Sequence, residues 1–216
     1  APLSRLMVIL EQLDTDLLED WHTPIINDFY VMMSVGRLNR RLSKGGVAEP
    51  DDLINRLLAG EEDIESTQPV RQLMGIATVI RQDGPARELL AVTPLGEVVR
   101  ALSAYSGDLR ERFAHYLERY GDRCMGELKL ETVSLREDPG FVFEVLANFL
   151  DRPDLDPDAL ARREKELRRG AEEVVRERFS WWRRRRLFTA LREAREAVKN
   201  RENMRLARTR MFGLYR

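Results

Sequence analysis

Tyr120-Gly-Asp-Arg-Cys-Met-Gly-Glu-Leu-Lys-Leu-Glu131 is the stretch on which the fold class turns. Nearly everything around it repeats apolar residues at the three- and four-residue spacing of helices. This stretch does not: Gly121 and Gly126 interrupt it, and charged residues alternate with leucines from Glu127 to Glu131. Read as a strand, it has one short partner to choose, Glu88–Val92. The expected class is therefore all-α, a multi-helix domain with long C-terminal helices and at most a short β-pair near 88–92 and 127–133. A loop on a helical scaffold can aim side chains at a ligand. An ordinary helix-to-helix connection is an equally good reading.

Outward from the stretch, Leu109, Phe113, Tyr116, Leu117 and Tyr120 lie on one face of a helix that begins after Ser106-Gly107-Asp108. Thr93-Pro94 reads as an N-cap with proline in the first turn, opening a helix to about Tyr105. On the other side, Phe141 to Leu150 reads as a helix, and Asp156-Pro157 starts a long charged one to about Ser180. Its Glu and Arg at four-residue spacing describe a solvated face. Near the start, Leu3, Leu6, Leu10, Leu13 and Leu17 form one apolar stripe. Ile25 to Val35 is apolar on every side and so should be buried. Asn27 and Asp28 are its polar exceptions, favoured in a first turn by the helix dipole or facing a cleft.

The totals bound the class. With 216 residues the chain can bury a real core. The expectation is one helical domain over 1–216, with a possible subdivision into 1–150 and 151–216. A chain beginning Ala-Pro-Leu and stopping at Arg216 inside a helical pattern reads as an excised fragment. No apolar run reaches the ~18 residues of a membrane span, and a single cysteine, Cys124, fits a reducing cytoplasm. The net charge of −1 hides an asymmetry: residues 151–216 hold 20 Lys+Arg against 12 Asp+Glu, leaving 16 and 25 for residues 1–150. A charge of +8 behind one of −9 either attracts internally or marks a basic binding surface.

Two basic features follow. Trp181-Trp182-Arg183-Arg184-Arg185-Arg186 joins stacking aromatics to guanidiniums, but consecutive arginines on a helix make no stripe. A junction with the tryptophans packed inside is the favoured reading. Further on, Leu187, Leu191, Ala194 and Val198 define an apolar arc, and the same spacing continues through Arg201, Arg205 and Arg208. Arginines on an arc that should bury leucine must pair with carboxylates or line a cleft. Asp28, Glu127 and Glu131 are the candidate acids.

No phosphate loop, dinucleotide fingerprint or His-Glu-x-x-His motif occurs, and His22 and His115 are isolated. No catalytic residue and no metal site are assigned, and the chain alone is expected to be inactive.

The sequences YGDRCMGELKLETVSLREDP (120–139), REAVKNRENMRLARTRMFGLYR (195–216), WHTPIINDFYVMMSVGRLNRRL (21–42) and DDLINRLLAGEEDIESTQPVRQLM (51–74) resemble the phosphoenolpyruvate synthase/pyruvate phosphate dikinase superfamily. They are similar to its central helical region, as in rifampin phosphotransferase. The resemblance implies a parent that uses ATP and Mg on an ATP-grasp domain and carries the phosphoryl group on a histidine of a mobile domain. It implies an acceptor held by the helical domain. ATP-grasp residues, the carrier histidine motif and the phosphoenolpyruvate barrel are absent, so no catalytic residue carries over. On this reading Arg123, Lys129, Arg201, Arg205 and Arg208 bind phosphate or substrate, and Asn27, Asp28, Glu127 and Glu131 orient them. The alternative is a non-catalytic helical module whose basic C-terminal third docks a protein or, less readily, nucleic acid.

Overall fold

The computed structural model describes residues 2–19, 22–61, 64–94, 97–105, 107–124 and 130–215, apart from the side chains at positions 17, 99 and 103. Ten α-helices occur among them: α1 (Leu3–Leu13), α2 (His22–Lys44), α3 (Pro50–Leu58), α4 (Gln68–Gln82), α5 (Gly84–Val92), α6 (Val98–Ala104), α7 (Asp108–Tyr120), α8 (Gly140–Leu150), α9 (Pro157–Arg178) and α10 (Trp181–Tyr215). No strand occurs among the described residues; Cys124 and Ser134 form an isolated antiparallel bridge. The fold is all-α.

The proposed strand at 88–92 is instead the end of α5. Asp83 explains why: its carboxylate accepts the Ala86 backbone N–H at 3.1 Å, and Pro85 fits the first turn. The same carboxylate accepts the Tyr105 hydroxyl at 2.8 Å. Residues 127–129 of the other half-pair lie outside the described residues, and Leu130–Glu131 form a turn.

Packing divides the chain into two units. The first comprises residues 1–64 and 161–205, the second residues 65–160 and 206–216. In the first, Leu38 and Leu42 of α2 and Leu53, Ile54 and Leu57 of α3 meet Ala171 and Val175 of α9 and Leu187, Leu191 and Ala194 of α10. Arg195 closes this core at its polar edge. Its guanidinium donates to the Leu57 carbonyl at 2.8 Å, one of the acceptors a helix end leaves open, and to Glu172 at 2.9 Å. Burial pushes the Glu172 carboxyl up, but Arg195 and Arg176 outweigh it and hold the group below its ordinary range.

In the second unit, Leu73, Ile76, Ala77 and Ile80 of α4 pack with Leu109, Phe113, Tyr116 and Tyr120 of α7 and Val142, Phe143 and Leu146 of α8. Phe113 and Phe143 stack at 5.0 Å. Directly after α7, Gly121 and Asp122 form a turn of this unit. Arg136 N–H donates to the Gly121 carbonyl and Leu135 N–H to the Arg123 carbonyl, both at 2.8 Å. A Cβ on Gly213 would sit 2.5 Å from the Asp122 carboxyl carbon, so the end of α10 presses on this turn where only glycine fits.

Three burial expectations are corrected. Ile25, Ile26, Phe29, Tyr30, Met32 and Met33 are exposed; only Val31 and Ser34 of the 25–35 run are buried. That run is apolar on both sides of α2, and only the side bearing Val31, Ser34, Leu38 and Leu42 packs inward. Trp181 and Trp182 are exposed rather than packed inside, because α10 begins its buried line only at Leu187. Arg201 and Arg205 are exposed and Arg208 half-buried, and Val198 is half-buried as well. At 100° per residue, the buried arc rotates by about 90° between Leu187–Ala197 and Leu206–Thr209. A helix that serves two cores buries a different arc in each, so the arginines drop off the buried line between them.

Candidate functional site

In the first unit α2 and α10 run antiparallel, and their polar partners record it. Asn27 Nδ2 lies 3.4 Å from Met204 Sδ, and Arg201 Nε lies 3.1 Å from Asp28 Oδ1. Arg37 donates to Glu193 at 2.7 Å, and Arg41 donates to the Arg186 carbonyl. Partner numbers rise along α2 as they fall along α10.

Beside this seam lies a groove of about 570 Å³. Asp28, Val31, Met32, Val35, Gly36 and Asn39 line it from α2, Asp51 from α3 and Arg201 from α10. The six α2 positions span roughly 140° of the helix, so a single face forms the wall. Val31, Met32 and Val35 make it apolar. Gly36 deepens it: a Cβ there would meet nothing within 4 Å. Two polar pairs mark its edges, Asp28 with Arg201 and Asn39 Nδ2 with Asp51 Oδ1 at 2.6 Å.

Asp28 engages the Nε side of the guanidinium, so the terminal nitrogens of Arg201 keep donors for a ligand oxygen. Side-chain exposure of 46% for Arg201 and 55% for Asp28 means the ion pair itself adds little stability. The arrangement suits a ligand with a broad apolar body and oxygens at its rim. Among the described residues, no group of His, Cys, Asp and Glu could hold a metal ion, and no helix is long and apolar enough to cross a membrane.

Of the residues expected to act together, Asp28 and Arg201 meet, and Asn27 packs one position away on Met204. Arg205 belongs with them to the first unit, whereas Arg123, Glu131 and Arg208 belong to the second. Glu127 and Lys129 lie outside the described residues. Glu131 is exposed in its turn. Arg208 Nε is buried and has no hydrogen-bond partner among the described residues. Arg123 acts electrostatically on the α7 tyrosines: burial pushes the Tyr116 hydroxyl up to about 12, with Arg123 pulling the other way. Val31, Met32, Val35, Gly36, Asn39 and Asp51 were not singled out from sequence. Gly36 was the available signal, a helix-interior glycine on the same face as Met32.

A second cleft, about 330 Å³, lies in the second unit between α5 and α8, with Leu90, Val98, Phe143, Leu146 and Leu150 in its lining. Its polar members are Arg87, Thr93 and Asp151, and the Thr93 hydroxyl already donates to the Leu89 carbonyl at 2.6 Å. The groove in the first unit is larger and is built around the Asp28–Arg201 pair.

A family model, that of the rifampicin phosphotransferase fourth domain, matches residues 22–202. This chain belongs to that family. The match begins at the first residue of α2 and includes every residue lining the groove. The chain is thus a helical domain of the phosphotransferase family, in keeping with the phosphoenolpyruvate synthase-like resemblance of its sequence. No curated protein matches the chain.

Proposed function

We propose that this domain holds the acceptor in an ATP-dependent phosphotransferase, and that the groove between α2, α3 and α10 is where the acceptor lies. In this reading ATP and Mg are used on an ATP-grasp domain of the same cytoplasmic protein. A phosphohistidine on another domain carries the phosphoryl group, and this chain contributes positioning and charge. Phosphoryl transfer asks for little else, because its transition state is stabilised mainly by orientation and cationic contacts. The observation that carries the reading is the Asp28–Arg201 pair on the rim of an apolar groove inside the family-matched segment. Val31, Met32 and Val35 would hold the apolar body, Arg201 an acceptor oxygen, and Asp28 the orientation of Arg201.

Rifampicin, named in the family's description, is the natural probe. Isothermal titration of the chain should give saturable binding with one site. Gly36→Trp should abolish it, because the new ring occupies open groove and disturbs nothing behind it. Arg201→Ala should weaken binding roughly tenfold, the equivalent of about 1.4 kcal/mol. Absence of binding to the unaltered chain, or unchanged binding in Gly36→Trp, would contradict the proposal.

A further inference from the structure

The second unit has a cleft of its own between α5 and α8. At about 330 Å³ it lies at the small end of the ~300–1,000 Å³ range of ligand pockets, room for one small molecule. Phe143 and Leu146, both buried, give it an apolar floor, and half-buried Leu90 and Leu150 flank them. Its two charged residues are Arg87 on α5 and Asp151 at the end of α8.

Both charges lack partners. Neither side chain makes a hydrogen bond or an ion pair among the described residues. The groups nearest in sequence that could serve them are engaged elsewhere. Asp83, four residues before Arg87, caps the Ala86 N–H and accepts the Tyr105 hydroxyl at 2.8 Å. Arg152, next to Asp151, donates to Asp154 through two nitrogens, each at 3.0 Å. Arg87 is the fourth residue of α5, close to its positive end, and Asp151 is the C-cap of α8, at its negative end. The helix dipoles themselves favour the opposite signs.

We infer that this cleft binds a small zwitterion with an apolar side chain, an apolar α-amino acid. The carboxylate pairs with Arg87, the ammonium with Asp151, and the side chain lies on Phe143 and Leu146. Thr93, also in the lining, supports the ammonium: its hydroxyl hydrogen is committed to the Leu89 carbonyl at 2.6 Å, so its oxygen is left to accept. A ligand of one sign is selected against, since an anion meets Asp151 and a cation meets Arg87. An uncharged apolar ligand takes water from both charges and returns no partner to either. The cleft belongs wholly to the second unit and the acceptor groove to the first, so the two sites stand or fall separately.

The test titrates the isotope-labelled chain with L-leucine and with L-phenylalanine and follows its backbone amide resonances. Saturable shifts should cluster at residues 87–91 and 146–151. Arg87→Gln and Asp151→Asn should each weaken binding roughly tenfold, as loss of one charge-assisted contact does. Without ligand, neither variant should melt below the unaltered chain, because each removes a charge that its helix end disfavours. N-acetyl-L-leucine, which lacks the ammonium, should bind the unaltered chain about tenfold more weakly than L-leucine and bind Asp151→Asn no worse. Neither amino acid giving a saturable shift would overturn the inference, as would shifts confined to other helices. Full affinity in either variant, or equal affinity for the N-acetyl form, would overturn it too.

Discussion

Asp83 connects a single side chain to the fold of the second unit. It caps α5 through the Ala86 N–H and anchors the Tyr105 hydroxyl, and that bond holds the Tyr105 ionisation above its ordinary value. Replacing it with alanine removes the α5 cap, a cost of about 1 kcal/mol, and leaves the hydroxyl without this partner. Urea unfolding of Asp83→Ala measures it, and an unchanged midpoint would refute the role. Tyr116 gives a pH signature. Burial raises its ionisation from the ordinary 10.0 to about 12, so the folded state holds its proton longer than the unfolded chain does. That contribution is complete below pH 10 and is lost as pH rises toward 12. Alkaline titration should show Tyr116→Phe losing less stability across that window than the unaltered chain. Local chemistry of this sort is partly legible: Asp83-Gly84-Pro85 is a chain-breaking sequence. Its force as an N-cap is not, because Glu88–Val92 suggests a strand.

At the scale of elements, glycines separate packing from propensity. Gly60 follows α3 with φ of 64°, and a Cβ there would lie 3.0 Å from the Glu164 backbone carbon. Gly60→Ala should destabilise by at least about 1–2 kcal/mol, from left-handed strain and the clash together. Gly75, inside α4, has nothing within 4 Å of a Cβ, so Gly75→Ala should be neutral or stabilise by up to about 1 kcal/mol. Thermal unfolding of the pair checks both signs. Helix positions were readable from spacing, as α7, α8 and α9 illustrate. Which face a helix buries was not readable where both faces are apolar. Ile26 and Leu38 are equally apolar in composition, yet one is exposed and the other buried. The arginines of α10 failed for a related reason: a uniform arc was extended across a helix that packs into two cores in turn.

For the whole molecule, the acidic front and basic back do not form separate units. Each unit takes segments from both, and α10 contributes residues up to 205 to the first and from 206 to the second. Asp28 and Arg201, 173 residues apart in sequence, were each marked by their polarity in an apolar context. Their pairing at a groove became visible only from the antiparallel run of α2 and α10. The groove's apolar wall was hidden, since pattern alone does not distinguish a pocket-lining valine from a core valine. Backbone hydrogen exchange of the chain with and without saturating rifampicin tests the central assignment most directly. Slowed exchange should concentrate in residues 28–39 of α2 and around Arg201. Protection confined to α5 and α8, where the second cleft lies, would contradict it.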